Sequence, residues 1–344
     1  MDLESFADVQ EAIKRNTKRP FSLLLGNGFS MAYAPGIFSY NALHGFVDKT
    51  DNAILKALFG VVDTHDFERV MQQLDVLASI GDVLALGADV KQRIDAARED
   101  LKRSLIDAIR ALHPEHVYKV PGEKCAACTA FLRLFLDTKG SLFTTNYDLL
   151  MYWVLMRSGL HPVDGFGRDR ESPDEYVEQE DLEYSELRWG RNAAGQNVHY
   201  IHGALPLFDT GTEIVKEVYG GGNDFLLDQI TKRINNGQYP VFVTAGSAEQ
   251  KLTHIRHNPY LQNSYEALAT LDGSLVTFGF NFGPQDAHIV SAIQRAAKQS
   301  PNRRLRSVYV GVYSPEDADR LALLGKEFGC KVHLYDARTV GAWG

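Results

Sequence analysis

The chain has few cysteines, no run of basic residues and no long apolar segment, and each shortage narrows what it is. Its 344 residues contain three cysteines, Cys125, Cys128 and Cys330. An odd, low count excludes the disulfide scaffolds of small secreted domains and suits a reducing compartment. Cys125 and Cys128 have the spacing of half a zinc site, but a structural zinc needs a second pair of ligands. Ala130, Phe131, Leu134 and Phe135 continue an apolar stripe past them, so the pair reads as two small residues buried on a helix. A thioredoxin-like redox pair is the alternative. No apolar run approaches the ~20 residues that span a bilayer. The first residues, Met1-Asp2-Leu3-Glu4, are acidic and unlike a signal peptide, so a cytoplasmic protein is expected. The net charge is −8, with no basic block to serve as an electrostatic footprint for direct nucleic-acid binding.

The length allows one large or two modest domains with a substantial core. A single α/β domain over residues 1–344 is expected, with a helical insertion over 45–120. Residues 1–19 have apolar residues at helical spacing, ending at Pro20. Phe21-Ser22-Leu23-Leu24-Leu25 reads as a buried strand. Residues 31–60 include an aromatic, histidine-containing segment over 38–46, either a flap or a packed connection. Residues 51–118 repeat apolar positions at three and four (Phe67, Val70, Met71, Leu74, Leu77) and show no strand pattern. A further helix over 124–137 leads to a strand at Leu142-Phe143. A helix follows over 149–157, then a polar region over 164–196 that reads as a solvated loop. Val198–Ile201 reads as a strand, 213–236 as a polar helical segment broken by glycines, and 239–246 as a strand and turn. After a helical stretch over 247–270, the segments Leu275–Phe280, Leu305–Tyr313 and Val332–Tyr335 read as strands. Helices separate them, one opening at Pro284-Gln285-Asp286. This alternation predicts a Rossmann-like, doubly wound parallel sheet.

Polar or glycine-rich residues recur where strands end, which is where open α/β sheets bind ligands. Gly26-Asn27-Gly28-Phe29-Ser30 follows the first strand. Glycine there lets the backbone approach a phosphate at a helix start, or simply makes a tight turn. Thr144-Thr145-Asn146-Tyr147-Asp148 follows the second. Asn146 or Asp148 could serve a ligand or cap the next helix. His202-Gly203 follows a third strand, and Gly279-Phe280-Asn281 a fourth. A space-filling histidine is the structural alternative for His202.

Those motifs, in that order, resemble the sirtuin (SIR2) superfamily, and more closely its bacterial SIR2-like branch. The resemblance covers roughly residues 20–30, 140–156, 198–205 and 274–290. It implies that Gly26, Asn27, Gly28, Phe29 and Ser30 hold the pyrophosphate of NAD. It implies that Thr145, Asn146 and Asp148 lie near the nicotinamide ribose, that His202 is the catalytic histidine, and that Gly279, Phe280 and Asn281 close on the adenosine side. Asn27, Phe29 and Thr145 depart from the residues usual in the family. The four-cysteine zinc module of the protein deacetylases is absent, since no cysteine lies between His202 and Cys330, and no metal is expected. Bacterial relatives without that module resemble NAD-cleaving effectors of anti-phage defence. They often work with a second protein, such as a HerA-like ATPase or an Argonaute-like protein, or form large oligomers, so the resemblance implies a homo-oligomer or such a partner here. The segment 240–293 also looks like an uncharacterised bacterial family within this branch.

The resulting expectation is an NAD+ hydrolase that releases nicotinamide and ADP-ribose, regulated in the cell. Asn146 would hold the water or a ribose hydroxyl through its amide oxygen. Asp148 would orient Asn146 or bond a ribose hydroxyl, and His202 would act as general base. The alternatives are an ADP-ribosyl or deacyl transferase, a non-catalytic NAD sensor, and a structural partner in an assembly.

Overall fold

The computed structural model describes residues 3–16, 18–34, 52–62, 67–113, 117–168, 186–219, 225–243, 247–300 and 304–344. The aromatic segment at 38–46, most of the acidic stretch near 170–186 and the glycines at 220–222 lie outside the described residues.

The chain enters through α1 (Phe6–Arg15), opened by a capping box in which Ser5 and Asp8 bond each other's backbone amides. That exchange satisfies two amides that a helix start otherwise leaves bare. β1 (Phe21–Leu25) is buried along its whole length, as a central strand of a sheet covered on both faces must be. α2 (Asn27–Tyr33) follows at once. The helices α3 (Ala53–Val62), α4 (Phe67–Val83) and α5 (Ala88–Leu112) then intervene before the next strand. They pack on one another, with Val70, Met71, Leu74, Leu101, Leu105 and Ile109 inside. Leu77, expected on that inner stripe, is exposed instead.

α6 (Gly122–Leu136) buries Cys125 and Cys128 as free thiols, as the apolar stripe around them predicts. It leads to β2 (Leu142–Thr144), α7 (Leu150–Arg157), β3 (Gly165–Gly167), β4 (Leu187–Asn192) and β5 (Val198–Tyr200). Next come β6 (Gly203–Asp209), β7 (Ile214–Lys216), α8 (Leu226–Asn235) and β8 (Pro240–Phe242). The chain closes with α9 (Ala248–His257), α10 (Pro259–Ala269), β9 (Gly273–Phe278), α11 (Ala287–Ala297), β10 (Leu305–Val312), α12 (Pro315–Gly325) and β11 (Lys331–Asp336).

Six strands form one parallel sheet in the order β11-β10-β9-β1-β2-β5, flanked by helices. Numbered along the chain among themselves, these six read 3-2-1-4-5-6 from the β5 edge. That is the Rossmann order, and its switch point falls between β1 and β9, where the winding reverses and open sheets bind their ligands.

The sheet is not the whole architecture. β3, β4, β7, β6 and β8 form a second, antiparallel five-stranded sheet. The expected alternation of strands and helices fails here. The polar stretch read as a loop over 164–196 contains β3 and β4, and the segment read as helical from 213 opens with β7. Two of these strands are three residues long, too short for a two-residue period to show. β8 was recognisable as a strand, but it joins β6 and not the parallel sheet. Among the described residues no helix is long and apolar enough to cross a membrane.

Candidate functional site

The carboxyl ends of β1, β2 and β5 are neighbours, and the polar motifs of the sequence lie on them. Leaving β2, Thr145 donates its amide to the Leu25 carbonyl at 3.0 Å, and Asn146 donates its amide to Thr144 Oγ1 at 3.0 Å. These bonds fold the loop back across the end of β1 and bring Asn146 under the glycine turn. Its Nδ2 donates to the Gly26 carbonyl at 3.0 Å and to Ser30 Oγ at 2.9 Å. A carbonyl only accepts, so the amide orientation is fixed by chemistry. With Nδ2 committed twice, Oδ1 is the part of Asn146 left for a ligand.

Ser30 passes the network on. Its hydroxyl donates to Asp148 Oδ2 at 2.5 Å, while Asp148 Oδ1 accepts from the amide of Leu150, the first residue of α7, at 2.9 Å. Asp148 therefore both secures a helix start and anchors the trio. All three side chains are buried. Burial pushes the Asp148 carboxyl up to about 6, against the opposing pull of the Ser30 and Leu150 hydrogen bonds. At neutral pH it is still mostly a carboxylate.

The glycine motif is organised differently from a phosphate cradle. Gly26 donates its amide to the Phe278 carbonyl at 3.0 Å, Gly28 to the Gly279 carbonyl at 2.8 Å, and Phe29 to the Gly26 carbonyl at 2.9 Å. The amides of Gly26 and Gly28, expected on a pyrophosphate, are spent on the loop after β9. A Cβ on Gly28 would stand 2.5 Å from Gly279 Cα, so glycine is needed for two backbones to touch. Gly279 itself has φ +69°. Ser30, also expected on the phosphate, is turned inward to Asp148. The Phe29 ring packs 4.8 Å from Trp343, whose indole N–H donates to the Phe29 carbonyl at 2.8 Å. Asn27 is half-buried. Phe280 is buried edge-on against Phe282. The Asn281 side chain accepts from Arg320, which also donates to its carbonyl at 2.9 Å.

His202 sits at the step between the two sheets. Ile201 donates its amide to the Thr144 carbonyl at 2.9 Å, and the next two residues turn into β6. Gly203 adopts φ +78°, and a Cβ there would lie 1.9 Å from the Val241 carbonyl. The His202 ring is 1% exposed and meets His288 on α11, Nε2 to Nε2 at 2.8 Å. Beyond it, Lys251 on α9 donates to Asp286 Oδ1 at 2.8 Å, with both residues buried. Donor atoms of His202, Asp286 and His288 all fall within 4.8 Å of one another. Burial holds the His202 imidazole well below its ordinary pKa, and His288, Lys251 and His254 add to the effect. Burial and Lys251 hold His288 down to about 3. Both rings are neutral at pH 7.

The structure thus joins Gly26, Ser30, Asn146 and Asp148 in one network, and brings Gly26 and Gly28 against Gly279. Sequence reasoning missed His288, Lys251, Asp286 and Trp343. Asp286 and His288 lie just past the strand-end glycines Gly279 and Gly283, an address already used for the other motifs. Nothing local in the sequence marks Lys251 or Trp343.

The chain belongs to the family described as Domain of unknown function (DUF4917), whose profile matches residues 23–343. The matched span contains every residue of the Asn146 network and the histidine cluster. No curated protein matches the chain.

Proposed function

We propose that the protein cleaves the nicotinamide–ribose bond of NAD+ by hydrolysis, giving nicotinamide and ADP-ribose. The observation that carries this reading is the fixed amide of Asn146, with Nδ2 held by Gly26 and Ser30 and Oδ1 left over at the mouth of a Rossmann-ordered sheet. Nicotinamide leaves as a neutral molecule, taking the electron pair of the broken bond, so no strong acid is required. The barrier lies in an oxocarbenium-like ribose, as in glycoside hydrolysis. An oriented amide oxygen and a nearby carboxylate answer that need. Asn146 Oδ1 accepts a hydrogen bond from the attacking water or a ribose hydroxyl. Asp148, mostly ionised, holds Ser30 and through it Asn146, and supplies negative charge close to the cationic sugar. His202, kept neutral, takes the proton that water loses as its oxygen bonds to the anomeric carbon.

The nucleotide's diphosphate is not held by the amides of Gly26 and Gly28, which are occupied. The glycines instead serve close packing at the switch point, beside the crevice where the nucleotide would lie. Effector activity in anti-phage defence by NAD depletion extends the same reading and rests on the resemblance of the motifs. Purified protein incubated with NAD+, with products separated by chromatography, tests the proposal. Nicotinamide and ADP-ribose should accumulate with wild type and not with His202→Ala. Equal activity of the two proteins would refute the assignment of His202.

A further inference from the structure

We infer that His288 is the positioning residue for His202: it grips Nε2 of His202 so that Nδ1 is the nitrogen presented to substrate. This rests on the reading of His202 as base, and adds to it a residue that none of the strand-end motifs includes.

The two rings come from distant parts of the chain, His202 from the step after β5 and His288 from the first turn of α11. Their Nε2 atoms are 2.8 Å apart, with centroids at 5.0 Å and planes inclined by 31°. At that separation one proton fits between them. Two N–H groups would collide, and two bare lone pairs would repel. The rings are 1% and 2% exposed, so neither can swing out to water. The α11 end of the couple is itself tied down, since Tyr265 Oη donates to the His288 carbonyl at 3.0 Å.

The groups that face the couple set its charge. α9 presents Lys251 and His254, the turn before α11 presents Asp286, and α11 presents His288. Lys251 is paired with Asp286, and an ammonium fixed there opposes a second positive charge on the imidazoles. The couple is therefore neutral with one shared proton. For His202 to act as base, that proton lies on its Nε2 and is donated to His288 Nε2, which leaves the His202 Nδ1 lone pair unshared with His288. His288 then carries its own proton on Nδ1, a buried nitrogen with no partner among the described residues. The opposite arrangement would make His202 Nδ1 a donor and remove the base. When His202 takes a proton at Nδ1, the imidazolium keeps its Nε2–H bond to His288, so the ring does not turn during the reaction.

The same cluster offers the donor types of a zinc site, but its geometry favours the hydrogen-bonded couple. Two nitrogens at ~2.05 Å from a tetrahedral ion stand about 3.3 Å apart, wider than observed. A divalent ion there would also sit beside the Lys251 ammonium, with Asp286 already paired.

The test is nitrogen NMR on the full chain labelled with 15N-histidine, from pH 5 to 8. Wild type should show His202 in one tautomer, Nε2 protonated and Nδ1 bare, with no titration in that range. His288→Leu should release it to a mixture of tautomers, with burial and Lys251 still keeping the ring neutral across that range, and His288→Asn should restore part of the lock. Turnover of NAD+ should fall about 100-fold in kcat for His288→Leu, with KM little changed and partial rescue in His288→Asn. A protonated Nδ1 or mixed tautomers in wild type would overturn the proposal. So would stoichiometric binding of added Zn2+ that shifts both rings. The wild-type spectrum decides even if the variants fail to fold. If the lock is present while NAD+ stays intact, the couple stands and the assigned reaction falls.

Discussion

Ser30 and Asp148, 118 positions apart in the chain, share a buried hydrogen bond of 2.5 Å from hydroxyl to carboxylate. The bond ties the first turn of α2 to the start of α7, and Asn146 hangs from it by a second bond of 2.9 Å. Removing the hydroxyl leaves an unmet donor on Asn146 and an unmet acceptor on Asp148. Ser30→Ala is expected to cost about 1–3 kcal/mol of stability, the usual penalty for stranding a buried polar group. NAD+ turnover should fall on the order of 100-fold, because Asn146 loses one of its two anchors. Chemical denaturation and initial rates on the same preparation measure both. Unchanged turnover would separate Ser30 from the site.

Asp148 makes a pH prediction of unusual sign for a carboxylate. Burial raises its folded pKa to about 6 from an ordinary value of 3.8, so the folded protein binds the proton more tightly than the unfolded chain. The group's favourable contribution is fully present below about pH 4 and is lost as pH rises through about 6. The swing is on the order of 3 kcal/mol at 1.36 kcal/mol per pH unit. Asp148→Asn should remove this swing. Relative to wild type, the variant should be more favoured at pH 7 than at pH 4.5 in paired denaturation curves. A stability difference independent of pH would show that Asp148 titrates normally.

Lys251 and Asp286 form a buried ion pair at 2.8 Å. Breaking it from one side strands a charge, so Lys251→Met should cost about 3–5 kcal/mol. Replacing both, as Lys251→Met with Asp286→Leu, should recover much of that loss, since an apolar pair needs no desolvation. A double-mutant cycle by denaturation gives the coupling. Additive losses would mean that the pair is not coupled in solution.

Two glycines with left-handed backbones separate strain from collision. Gly190 has φ +93° with no atom within 4 Å of an added Cβ, whereas Gly203 has φ +78° with the Val241 carbonyl 1.9 Å away. Gly190→Ala should cost about 1–2 kcal/mol, the left-handed penalty alone. Gly203→Ala should cost several times more or prevent folding, because β6 must move off β8. Comparable melting temperatures for the two variants would contradict this close approach.

Much of the fold was readable because β1 and β9 are buried along their whole length and run directly into Gly26 and Gly279. Their helices carry clear caps, such as Ser5 with Asp8 and Asn258 before Pro259. The antiparallel sheet was not readable. β3 and β7 are too short to show a period, and β4 is half-buried to exposed and rich in polar residues. Within the site, Asn146, Asp148 and His202 stood out because polar residues at strand ends need a reason to be there. Ser30 was found, but its bond to Asp148 was not, since a motif shows which residue follows a glycine and not which way its hydroxyl turns. His288 was passed over because Pro284-Gln285-Asp286 already accounts for a helix start, and only tertiary packing brings it to His202.

The most direct measurement is turnover of NAD+ in H218O by wild type and Asn146→Ala, with mass analysis of the ADP-ribose formed. The account predicts one 18O at the anomeric carbon of ADP-ribose, matched by released nicotinamide, in wild type alone. Intact NAD+ with the wild-type protein, or equal release from Asn146→Ala, would contradict it.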